Sequence, residues 1–120
     1  MKTDKEILDS FGELLISEVF DHQISFIFNS IEDLANTRKY QKLFTGMNED
    51  QKSELESYTK EILSGCLFDA LRIFEENEQF KLIYEEDGTQ VDLNKISEML
   101  KAEPIIEGGW IERFSKELKK

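Results

Sequence analysis

One cysteine, one histidine, one proline and one tryptophan in 120 residues leave few conventional routes to chemistry. Cys66 has no partner, so no disulfide framework exists. Cys66 and His22 alone cannot make a zinc site. Cations are scarce as well: 15 Lys and Arg stand against 26 Asp and Glu, for a net charge of −11. Phosphate contacts need clustered Lys and Arg, which argues against nucleic acid as a partner. The most apolar window, Ile24 to Ile31, contains Ser25, Asn29 and Ser30 and is far too short to span a bilayer. Charges recur through Asp9 and Glu13, so the N-terminus has no secretory apolar run. With an unpaired thiol that suits a reducing compartment, these signs predict a cytoplasmic protein away from membranes.

What is present points to a folded chain. Hydrophobic residues make up 39%, with nine Phe, which is too apolar for a disordered acidic chain. At 14.1 kDa the chain can bury about two-thirds of its unfolded surface, enough for one core and one domain over residues 1–120.

Hydrophobic spacing gives the fold class. Thr3 or Asp4 caps a first helix, followed by Ile7, Leu8, Phe11, Leu14, Leu15 and Val19 at helical intervals. The stripe resumes at Ile24, Ile27, Phe28, Ile31 and Leu34, with a shift near residues 20–23 that predicts a kink or break. Phe20 and Phe26 widen the apolar surface and place this region centrally in the core. Tyr40 to Met47 reads as a connector, with Leu43 and Phe44 tucked onto the core. Asn48 and Gln51 form a capping box for a second long helix, about Glu49 to Glu76. Gly65 inside it marks either a tolerated cost or a close helix crossing.

Beyond Asn77, Phe80 to Tyr84 and Thr89 to Leu93 read as strands joined at Asp87-Gly88, a type I′ hairpin signal. Asn94 caps a short helix over residues 95–101, Pro104 stops it, and Gly108-Gly109 turns the chain into Trp110, Ile111, Phe114 and Leu118. The expected fold is mostly α (α+β): a helical core of two long helices, a small β-hairpin and short C-terminal helices.

Four places carry candidate chemistry. Glu18, Asp21 and His22 fall within one helical turn, with Glu18 and His22 at i, i+4. They fit a weak metal or general-base site, or, more plainly, a histidine beside a kink. Cys66 lies mid-helix in an apolar stripe without the cation or helix N-terminus that activates a thiol, so it reads as packed and inert. Gly108-Gly109 lacks the Lys or Ser/Thr of a phosphate loop and is flanked by Glu107 and Glu112. Last, Glu75, Glu76, Glu78, Glu85, Glu86, Asp87 and Asp92 face only Lys81 between residues 75 and 92, a local charge of −6. Such a run is either solvated surface or a face aimed at a basic partner. It lacks the residue order of a calcium-binding EF-hand loop.

Phe80-Lys81-Leu82, the Asp87-Gly88 turn, Leu100 and Gly109-Trp110-Ile111-Glu112-Arg113-Phe114-Ser115 give the C-terminal half a familiar outline, as does Ile16 to Asp21 near the start. In these features the chain resembles small acidic bacterial proteins of the polymorphic-toxin immunity type. The resemblance implies a non-enzymatic protein that binds a basic toxin or effector stoichiometrically, without cofactor or metal. Glu75, Glu76, Glu78, Glu85, Glu86 and Asp87 would then steer the partner, with Tyr40, Phe44 and Tyr84 as anchors. Two other readings stand beside it: a small enzyme or metal-dependent protein using Glu18, Asp21 and His22, and a structural homodimer held by apolar excess.

Overall fold

The structure, a computed structural model, describes residues 2–119. Helix α1 (Asp4–Leu15) starts at a capping box in which the Thr3 hydroxyl accepts from the Glu6 amide and the Glu6 carboxylate accepts from the Thr3 amide. It runs without interruption into a π-helical segment, Ile16–Asp21, and on into α2 (His22–Asn29). The shift read near residue 20 is therefore a widened turn rather than a break.

Its physical reason lies in the buried row. Leu8, Gly12, Ile16, Phe20 and Ile24 are buried and Phe28 is half-buried, each four residues after the last. In a regular α-helix such a row drifts about 40° at every step. One π turn takes up the extra residue and keeps the row facing the core.

Ser30 ends α2, and two short helices, α3 (Ile31–Ala35) and α4 (Gln41–Phe44), make a corner. Gly46, at φ 72°, turns the chain into α5 (Glu49–Glu76), whose expected Asn48–Gln51 capping box is present. This 28-residue helix is about 42 Å long. It ends at Asn77, and the hairpin follows: β1 (Ile83–Glu86) pairs antiparallel with β2 (Thr89–Asp92), with Tyr84 opposite Val91. Asp87 and Gly88 hold φ of 52° and 82°, the two positive values a type I′ turn needs. The first strand starts at Ile83 rather than Phe80, because residues 77–80 close a turn through the Phe80 amide and the Asn77 carbonyl. Leu93 is buried and Leu82, Tyr84 and Val91 pack against the core, so the hairpin docks by the face its alternation marks.

The C-terminal stretch departs most from expectation. Asp92, not Asn94, caps a single-turn α6 (Leu93–Ile96), and a 3-10 turn at Leu100–Ala102 replaces the rest of the expected helix. After Pro104 the chain turns at Gly108 and Gly109 into α7 (Trp110–Phe114), and a last 3-10 turn spans Glu117–Lys119. Gly109 admits no Cβ, which would sit 2.4 Å from the Glu103 carbonyl oxygen.

The 3-10 turn at Leu100 packs along α5, while α7 packs on α1 and the π segment. The C-terminal stretch thus bridges the two long helical arms, which also meet where α2 packs on α5. Trp110, Phe20, Ile16, Leu100 and Leu93 are among the most enclosed apolar side chains of the fold.

The molecule measures 53 × 29 × 26 Å, with a radius of gyration of 17.3 Å against about 13.6 Å for a compact chain of this length. Elongation explains three misplaced side chains. Phe26 and Leu43, expected in the core, are 59% and 65% exposed, because α2 and the α3–α4 corner reach beyond the packed region. Cys66, expected to be packed, is exposed on the outer side of α5, where Leu67 and Leu71 take the inner side.

Candidate functional site

The acidic residues between 75 and 92 do not form one uniform face. Glu75 turns inward: one carboxylate oxygen accepts from the Lys101 amide at 2.7 Å, and the other lies 3.6 Å from the Lys101 ammonium. It fastens α5 to the C-terminal stretch. Asp92 caps α6 through the Asn94 amide and pairs with Lys81 at 3.8 Å. Glu76 pairs with Arg72 at 3.3 Å on the helix surface. Glu78, Glu85, Glu86 and Asp87 are exposed; Glu85 accepts from the Gln90 amide group and Glu86 from the Tyr84 hydroxyl.

The fold adds to this end what the local sequence could not. A groove of about 350 Å³ beside the hairpin is lined by Lys2, Asp4, Tyr84, Glu86 and Asp87, with the Lys2 ammonium 5.5 Å from the Tyr84 ring centre. Asp4 thereby joins the acidic end from the other terminus of the chain. Phe80 is 63% exposed, and Ile73 and Ile83 are also exposed, so large apolar side chains stand among the acids. Of the anchors read from sequence, Tyr84 is half-buried, while Tyr40 and Phe44 sit on the α3–α4 side of α5, at the far end. Phe80 and Ile83 are the apolar groups at the acidic end.

Glu18, Asp21 and His22 do not converge. Glu18 and His22 are exposed, whereas Asp21 is buried and committed to the C-terminus. Its oxygens accept from the Ser115 hydroxyl at 2.7 Å and the Lys116 amide at 2.8 Å. Each oxygen of the Asp21 carboxylate is thus engaged by a donor from the C-terminal stretch. Among the described residues, no three His, Cys, Asp or Glu side chains gather as metal ligands. No helix among the described residues is long and apolar enough to cross a membrane.

A second tie joins the termini. Arg113 donates from Nη2 to Asp9 at 2.9 Å and from Nε to the Gly108 carbonyl at 2.7 Å, and Lys5 reaches the other Asp9 oxygen at 2.8 Å. The Arg113 hydrogen bond holds the Asp9 carboxyl below its ordinary value, with Lys5 adding to the effect, and Asp9 raises Arg113 in return. Glu6 is lowered by its hydrogen bonds to Thr3. Cap and clamp account for these shifts. Gly108-Gly109 carries Trp110 into the core, the role its turn chemistry indicates.

Compared with family models, curated proteins and solved structures, the chain finds no match in any of the three.

Proposed function

We propose that this chain is a cytoplasmic, non-catalytic binding module of the immunity type, which covers a basic toxin or effector by one-to-one association. The observation carrying this reading is the acidic end, where Glu78, Glu85, Glu86 and Asp87 are exposed along the same stretch as exposed Phe80 and Ile83, and Asp4 joins Glu86 and Asp87 on the groove beside the hairpin. Clustered acids speed encounter with a cationic protein and select against acidic ones. Apolar groups among them supply the desolvated contact that steering alone does not. Glu75, already engaged by Lys101, serves the fold and stands outside the proposed face.

The test is co-expression with the toxic product of a neighbouring gene, scored by cell survival and by a one-to-one complex. Changing Glu78→Lys and Glu85→Lys together with Asp87→Asn, which keeps the turn, is expected to slow association at least tenfold and to abolish protection. Changing Glu13, Glu49 and Asp50 to Lys removes as many acids elsewhere and is expected to leave protection intact. Equal protection by both triple variants sinks the proposal.

A further inference from the structure

We infer that the outward face of α5 is the contact surface of an antiparallel homodimer. The inference does not depend on the function proposed above. The chain exposes 8485 Å², whereas a compact 14.1 kDa monomer exposes about 6,700 Å². The surplus of roughly 1,800 Å² lies within what each subunit of an obligate homodimer buries, about 1,000–2,500 Å². Exposed apolar side chains follow α5: Tyr58, Ile62 and Ile73 are 63%, 49% and 51% exposed, on the side away from buried Leu67 and Leu71. Gly65 lies on the same side with nothing within 4 Å of a Cβ built there, so another backbone can approach closely.

Charge decides what covers this face. Between residues 51 and 73, Lys52, Lys60 and Arg72 stand against Glu54, Glu56, Glu61 and Asp69, leaving −1. A strongly basic partner gains little there, and a second copy is not locally repelled. The two ends beyond it are of opposite sign. Arg38, Lys39 and Lys42 give residues 36–47 a charge of +3 with no acid, and residues 75–92 carry −6. These segments flank opposite ends of a helix about 42 Å long. A parallel pair would set the two acidic ends side by side. An antiparallel pair sets each basic 36–47 segment beside the other copy's acidic end. Full antiparallel overlap of Glu49–Glu76 brings Ile62 to within a residue of the twofold axis, facing its own counterpart, with Cys66 next to Tyr58 across the interface.

Sedimentation velocity on the full chain at near-physiological salt is expected to give twice the 14.1 kDa mass in the micromolar range. Ile62→Glu should raise the dissociation constant by at least about tenfold while leaving the helical circular-dichroism signal unchanged, since Ile62 stands outside the core. In a Cys66→Ser background, Ile62→Cys should oxidise to a covalent dimer, and Leu14→Cys, more exposed on α1, should not. Reversing Arg38, Lys39 and Lys42 to Glu should weaken the dimer. A 14.1 kDa species at every concentration, a dimer indifferent to Ile62→Glu, or a dimer tightened by the triple reversal each overturns the inference.

Discussion

Gly12 and Trp110 share one space: a Cβ on Gly12 would lie 2.5 Å from Cγ and Cδ2 of the indole. The missing side chain lets the C-terminal stretch close onto α1, with Phe11 meeting the same ring edge-on at 5.8 Å. Gly12→Ala should therefore destabilise by about 1–3 kcal/mol, overpacking outweighing the helix propensity gained. Gly65→Ala, on the open side of α5, should instead stabilise by up to about 1 kcal/mol. Urea titrations of both variants check the contrast. Equal effects at the two glycines would mean that the indole does not rest on Gly12.

The Asp21 clamp gives a second expectation. Asp21→Asn places an amide donor where one of the Ser115 hydroxyl and Lys116 amide donors now finds a carboxylate oxygen. A loss of about 1–3 kcal/mol should follow. Glu18→Gln and His22→Ala, at exposed positions, should stay within about 0.5 kcal/mol of the parent. A double-mutant cycle between Asp21→Asn and Ser115→Ala should show a coupling energy well above measurement error. Additive effects would sever the proposed link.

Acid should loosen the N-terminal helix from α7. The Asp9 and Glu6 carboxyls are held below their ordinary values, so the stability they add is complete above the ordinary carboxylate range, near pH 4. It is lost as pH falls through their lowered values. For the partly exposed Asp9–Arg113 pair this amounts to at most about 1 kcal/mol. Asp9→Asn should flatten the acid limb of a stability–pH curve below pH 4. A curve of unchanged slope would place the acid sensitivity elsewhere.

At concentrations low enough to dissociate the inferred dimer, Cys66 should react with a small thiol reagent without prior unfolding, because it is exposed on the single chain. Labelling that requires denaturant even there would restore the packed cysteine read from the sequence.

Much of this fold is legible in local chemistry. The boxes Thr3–Glu6 and Asn48–Gln51 fix two helix starts, and Asp87-Gly88 fixes the hairpin turn, since each depends on residues within four positions of one another. Burial is less legible. Helical spacing marks which residues share a face but not whether anything covers it, so Phe26, Leu43 and Cys66 look internal and are not. The acidic run shows the same divide. Charge counting treats Glu75 and Glu85 alike, yet one is fixed by Lys101, and only tertiary structure brings Asp4 to the hairpin. Asp21 announces nothing locally, because its partners lie 94 and 95 positions away.

The π segment makes the spacing between Ile16 and Asp21 a matter of length as well as identity. Removing one residue there would let the backbone relax into an uninterrupted α-helix, a gain by local criteria. Because one π turn holds one residue more than an α turn, the side chains beyond that deletion would keep nearly their present facing relative to α1. Inserting a further residue, with no second wide turn to absorb it, would instead rotate everything beyond by about 100°, taking Ile24 out of the core and Asp21 away from Ser115. A single deletion in the π segment should therefore be tolerated far better than a single insertion. The reading frame of the helix, counted in single residues, is part of what folds this chain.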